Sequence, residues 1–217
     1  MPVQSSNLGD ALGSDDGVTL NYRSGRTPSG KALVLGRGAR LRSGTVLYEG
    51  TRIGKDFETG HHVIVREDNI IGDGVSIWSN SVIDYGCVIG DRVKIHSNCY
   101  IAQFTEIQDN VFLAPGVMIT NDLYPGRDDS AEAMRGPIIE EGAQIGANAT
   151  ILPFVKVEAG ALVGAGSIVT KNIPAGMVAY GCPAVPVRAV AELEPIAQRL
   201  KRVDAVSCCL QKRGESP

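Results

Sequence analysis

From Leu35 to Ile119 the chain reads LGRGARLRSGTVLYEGTRIGKDFETGHHVIVREDNIIGDGVSIWSNSVIDYGCVIGDRVKIHSNCYIAQFTEIQDNVFLAPGVMI. Stepping by six from Leu35 lands on Leu41, Leu47, Ile53, Thr59, Val65, Ile71, Ile77, Ile83, Ile89, Ile95, Ile101, Ile107, Leu113 and Ile119. Leu, Ile and Val make up about a quarter of the chain, so these steps would meet about four of them by chance. They miss once, at Thr59. A short fixed period marks a repeat architecture, in which one unit cannot bury its own apolar side chains and stacking supplies the core.

A longer period lies over the first. Gly36, Gly54, Gly72 and Gly90 are spaced by 18, as are Asp73, Asp91 and Asp109. Three hexads therefore form one unit, three short strands joined by tight corners that glycine takes without steric cost. Alternation within each strand sends the first residue of every hexad inward. The fifth, as in Ala39, Thr45, Val75, Ser81, Cys87 and Cys99, is mostly small or β-branched. The expected fold is an all-β solenoid, a triangular prism of about seven coils, each about 4.8 Å above the last.

The beat stops at Ile119 and resumes at Ile139, Ile145, Ile151, Val157, Val163 and Val169. The restart falls two residues later than a full coil, so residues 120–138 are expected to leave the prism as a loop. Such excursions commonly carry function. Residues 1–17 read as a flexible N-terminus and 18–34 as a cap. The solenoid is expected over 35–187, and a short helix with a frayed tail over 188–217.

The net charge of −3 comes with no block of like charges, which gives no footprint for nucleic acid or a membrane surface. No apolar run is long enough to span a bilayer. Five cysteines without a secretion signal point to free thiols in a reducing, cytoplasmic setting.

Spacing by 18 also stacks residues vertically. His62, Asn80, Asn98 and Gly116 form one outward column, with Gly60, Trp78, His96 and Ala114 beside it. These columns gather polar groups and the single tryptophan, as a solvated face or a ligand site would.

The segment Ile89–Asp122 (IGDRVKIHSNCYIAQFTEIQDNVFLAPGVMITND) resembles acetyltransferases that modify amino groups of nucleotide-linked sugars. Ile145–Ala184 is similar to the coenzyme A half of the hexapeptide-repeat acyltransferases. The resemblance implies a left-handed parallel β-helix, a homotrimer with sites between prisms and acetyl-coenzyme A as co-substrate; no metal is expected, since His62 and His96 differ in coil position and no second histidine accompanies His96. It implies Asn98 as the group that orients the amine, while His96 departs from the family's usual Gln-Asn-Asn. Histidine titrates near neutral pH and could serve as general base. Asp122 is a third catalytic candidate, either binding substrate or closing the loop as an Asx turn. His62, Trp78, Asn80, Asn121, Tyr124 and Arg135 are the substrate-binding candidates. For coenzyme A the resemblance implies Gly116, Ala147 and Ala165 along the groove, with Thr170, Lys171 and Arg188 near the phosphates. Two alternatives stand beside N-acetylation: O-acetylation, and a γ-carbonic-anhydrase-like metalloenzyme using His61, His62 and His96. The family's O-acetylating members carry a histidine near residue 122 that this chain lacks.

Overall fold

The computed structural model describes residues 13–25 and 30–195. Its strands are mostly two residues long and stack in register, Ile77 on Ile95 on Leu113 for example. Three mainly parallel sheets result, of seven, ten and eight strands, called here sheets I, II and III in the order in which the chain enters them from Leu35. Successive corners join sheet I to II, II to III, and III back to I.

The inward positions form one continuous core. Leu41, Leu47, Ile77, Ile83, Ile89, Ile95, Ile101, Ile107, Leu113 and Ile119 are almost wholly buried. Because each strand is so short, the fold depends on this column far more than on any single strand pair. Cys87 and Cys99 are buried in it, and burial pushes the Cys87 thiol up to about 12, so both behave as small apolar residues.

Residues 13–22 join the prism. Gly13–Ser14 pairs with Arg40–Leu41, and Thr19–Tyr22 pairs with Val46–Tyr48. These strands bring the solenoid to about eight turns, with sheet III carrying eight strands. At the other end Met177–Gly181 continues sheet II, and Ala184–Ala189 folds back on it antiparallel. Arg188 is thus on a strand, followed by a single 3-10 turn at Val190–Glu192. The remainder of the expected C-terminal helix lies outside the described residues. Among the described residues no helix is long and apolar enough to cross a membrane.

Two expectations from the periods need a different physical reason. The left-handed backbone falls at the third corner residue, not at the glycines spaced by 18. At Gly72, a Cβ would collide with Asp91 Oδ1 of the next coil. That carboxylate oxygen accepts the Asp73 N–H at 2.8 Å, and Asp109 repeats the arrangement for the Asp91 N–H. Glycine and aspartate are therefore two halves of one corner ladder.

The second correction concerns the loop. Ile107 pairs with Ile139 and Ile119 with Ile151, each 32 residues apart, so the excursion adds 14 residues to an 18-residue coil. The beat of six shows only the remainder of two. The loop springs from the III–I corner and rejoins the prism at strand Ile138–Ile139. Its neck is closed by the Arg135 N–H donating to the Asn121 carbonyl at 3.0 Å.

Candidate functional site

The II–III corner carries the columns singled out by spacing. His62, Asn80, Asn98, Gly116 and Asn148 all take the left-handed conformation, with φ between 56° and 74°. Asparagine and glycine tolerate that region best. The asparagines at 80 and 98 thus have a backbone reason to be where they are, independent of any ligand.

The neighbouring column has no such reason. Trp78 and His96 of this column, with Phe112 from strand Phe112–Leu113, form an aromatic ladder, with ring centroids 6.1 Å apart for Trp78–His96 and 4.9 Å for His96–Phe112. Trp78 is 45% exposed and His96 half-buried. Among the described residues the imidazole nitrogens of His96 take no hydrogen-bond partner. An imidazole with open nitrogens between two aromatic rings, beside the exposed carboxamide of Asn98, can exchange a proton with a bound molecule. His62 is exposed one coil above Asn80, and the neighbouring His61 hydrogen-bonds Ser43. Among the described residues no group of three or more His, Cys, Asp or Glu is placed to hold a metal ion.

Asn121, Asp122, Tyr124 and Arg135 lie elsewhere. They sit at the III–I corner or on its loop, so within one chain sheet III separates them from His96. Five residues of extended backbone, Asn98 to Gln103, span about 16 Å. Within one chain Asp122 therefore lies across sheet III from His96 and Asn98. Asp122 closes the loop: its Oδ1 accepts the Tyr124 N–H at 2.9 Å, forming an Asx turn, and its Oδ2 accepts the Ser130 hydroxyl. Tyr124 and Arg135 are exposed, and the Arg127 guanidinium stands 5.7 Å from the Tyr124 ring centre.

The same corner holds a buried polar network that neither repeat nor resemblance singled out. Asp84, only 5% exposed, accepts from Arg66 Nη1 (3.0 Å), Tyr100 Oη (2.7 Å), Gln103 Nε2 (2.7 Å) and the Tyr85 N–H (2.9 Å). Arg66 also donates to both oxygens of Glu67, and Ser24 donates to Glu67. Gln103 Oε1 in turn accepts from Asn121 Nδ2 at 2.6 Å, tying the root of the loop to the network. Burial, then the hydrogen bond to Asp84, push the Tyr100 phenol up. Burial alone would raise the Glu67 carboxyl. Its hydrogen bonds to backbone, Arg66 and Ser24 outweigh that and hold it below the ordinary value. A detectable signal existed: Arg66 and Asp84 are 18 apart, as are Gln103 and Asn121, so each pair is vertically stacked.

Of the coenzyme A candidates, Gly116, Ala147 and Ala165 continue the II–III corner below Asn98, with the Gly166 N–H donating to the Ala147 carbonyl at 2.8 Å. Thr170 and Lys171 are exposed at the III–I corner, and Arg188 is exposed on the last strand.

Residues 86–121 and 136–171 match the bacterial transferase hexapeptide repeat, described as six repeats, and residues 68–103 match the hexapeptide repeat of succinyl-transferase. A Staphylococcus aureus 2,3,4,5-tetrahydropyridine-2,6-dicarboxylate N-acetyltransferase is 40% identical over 85 residues, which is 39% of this chain and 33% of the relative. The chain thus matches about a third of that enzyme's length. Among solved structures, a Bacillus cereus protein described as an acetyltransferase superposes with a TM-score of 0.51 at 24% identity, covering 78% of this chain and 89% of that one. A Campylobacter jejuni UDP-N-acetylglucosamine acyltransferase gives 0.53 at 16% identity, covering 90% and 82%. At such identities these two speak for the fold alone. The beat of six, the stacked sheets and the repeat matches together identify the chain as a hexapeptide-repeat β-solenoid, with repeats similar to those of bacterial transferases.

Proposed function

We propose that the chain is an acetyl-coenzyme A dependent N-acetyltransferase acting on the amino group of a nucleotide-linked amino sugar. The observation that carries this reading is His96, open to a ligand between Trp78 and Phe112 and next to Asn98. The N-acetyltransferase similarity of the Staphylococcus aureus relative supports the acetyl donor and the amine acceptor.

In the reaction, the neutral amine attacks the thioester carbonyl carbon, forming the C–N bond. The C–S bond then breaks, the nitrogen loses a proton and the departing thiolate gains one. His96 takes the amine proton and can return it to the thiolate, since its imidazole can both accept and donate a proton. Asn98 presents a carboxamide to orient the amine or to donate to the developing oxyanion. Gly116, Ala147 and Ala165 offer a corner with bare backbone along which a pantetheine arm can lie. Thr170, Lys171 and Arg188 supply the hydroxyl and cations suited to phosphate.

A homotrimer fits this arrangement. Sheet III turns Val46, Ile64, Val82, Met118 and Ile168 outward, with Met118 42% exposed. A second copy on that sheet would cover them and bring one chain's loop toward another chain's His96. Trp78 and the loop residues Asn121, Tyr124 and Arg135 would then flank the acceptor.

The test is a panel of nucleotide-linked amino sugars offered with acetyl-coenzyme A, with products identified by mass and by amide or ester linkage. Acetyl amide on at least one acceptor is expected. Ester products alone would replace this reading with O-acetylation, and no transfer to any acceptor would end it.

A further inference from the structure

The single break in the beat, Thr59, lines a pocket of about 240 Å³ together with Arg40, Arg42, Glu58, Ser76 and Trp78. At the first residue of each II–III corner the backbone N–H donates to the strand below: Gly60 to Ile77, Trp78 to Ile95, His96 to Leu113. Arg42 departs from this rule. Its N–H donates instead to the Thr59 hydroxyl at 3.1 Å, and that hydroxyl also bonds Thr45 Oγ1 at 2.8 Å. The two strands are in register only at Arg40 and Glu58. An aliphatic residue at 59 would satisfy the beat and leave the Arg42 N–H without this acceptor, so threonine holds the corner in its departed form.

The corner column below Arg42 then reads Gly60, Trp78, His96. Gly60 leaves the height of one coil open between the guanidinium and the indole. A Cβ there would collide with the Ser79 backbone nitrogen and hydroxyl, so the gap is built in. Both arginines reach into solvent, with side chains 70% and 58% exposed, and their partners are the surface carboxylates Glu58 and Asp15. Exposed pairs of this kind contribute little, so a stronger anion can recruit either guanidinium. From Arg42 down to His96 is three coils, about 14 Å.

We infer that this pocket is a subsite for a diphosphate carrying a ring, with the phosphates on Arg42 and Arg40 and the ring against Trp78. Guanidinium forks match phosphate oxygens, and the apolar face of a sugar or base suits an exposed indole. Its assignment to the acceptor rests on the transferase reading above: an amino sugar linked to a nucleotide would place its amine toward His96 and its diphosphate toward Arg42.

Trp78 is the only tryptophan of the chain, so its fluorescence reports this pocket without any acetyl transfer. The full-length protein is titrated with uridine diphosphate, thymidine diphosphate, inorganic pyrophosphate and, separately, coenzyme A. At least one nucleoside diphosphate is expected to give a saturable change, and Arg42→Gln is expected to weaken it about tenfold through loss of a charge-assisted pair. Arg40→Gln should act in the same direction. No response to any diphosphate, or a response that Arg42→Gln leaves intact, overturns the subsite. A response to coenzyme A alone, lost in Arg42→Gln, gives the pocket to the donor and overturns the acceptor assignment. Arg42-dependent binding without acetyl transfer would sink only the transferase reading. Transfer with an unchanged acceptor KM in Arg42→Gln would sink only the subsite.

Discussion

The two long edges of sheet III hold the molecule's polar side chains in opposite ways. At the III–I corner Arg66, Glu67, Asp84, Gln103 and Asn121 are linked to one another, and Asp84 accepts four hydrogen bonds while almost wholly buried. At the II–III corner His96 and Trp78 meet aromatic neighbours through their rings, and among the described residues the His96 imidazole nitrogens take no hydrogen-bond partner. The charged residues of the chain that stand out most in the structure are therefore the least available to a ligand. Burial forces a polar group to find partners within the fold, and a saturated group has nothing left to offer. Chemistry is better sought where a costly residue is left exposed and unsatisfied.

Breaking the saturated edge should have the largest effect. Asp84→Ala removes the acceptor shared by Arg66, Tyr100 and Gln103, and leaves a partly buried guanidinium with one partner fewer. A loss of about 3–5 kcal/mol is expected, read as a lowered denaturation midpoint. A variant as stable as the parent would mean the network is dispensable.

The open edge should answer differently. His96→Asn is expected to lower kcat/KM by about 100-fold or more with the melting temperature little changed. Activity retained in full would remove His96 from the chemistry. A pH–rate profile that loses one limb in this variant would support the proton-transfer role.

Asn98 separates backbone from side chain. Asn98→Gly keeps the left-handed corner at small cost, whereas Asn98→Ala strains it by about 1 kcal/mol. If the carboxamide orients the amine, both variants lose activity and only the alanine loses stability. Full activity in Asn98→Gly would reduce Asn98 to a corner residue.

The smallest expected effect is on acid stability. The Glu67 carboxyl is held below its ordinary value in the fold, so its stabilisation is fully present above the unfolded carboxylate range. It is lost as pH falls through the folded value. Glu67→Gln should flatten the acid limb of stability, measured by denaturant unfolding between neutrality and acid. An unchanged limb would contradict the lowered carboxyl.

The beat of six was enough to place the first residue of each hexad inward, and the beat of 18 stacked Trp78 over His96 as the structure does. Both follow from geometry, since strand alternation sets inward or outward and register sets the vertical neighbour. The pattern could also have paired Arg66 with Asp84. Charges on corners usually mean solvent, so spacing alone does not mark this pair as buried. Burial at a corner depends on what neighbouring coils lay across it, and Ser24, reaching Glu67 from 43 residues away, has no place in any period.

The amino-acid sequence by itself determined the solenoid, its core column and the stacking of Trp78 over His96, because each of these depends on local alternation and a fixed repeat. The tertiary structure alone decided which glycines make room for a carboxylate and how long the loop is, because a period shows only the remainder of an insertion. It also decided that Asp122 closes its own loop and that Thr59 holds open the corner at Arg42. Those outcomes turn on where a side chain rotates and which backbone groups it satisfies, and spacing carries no record of either.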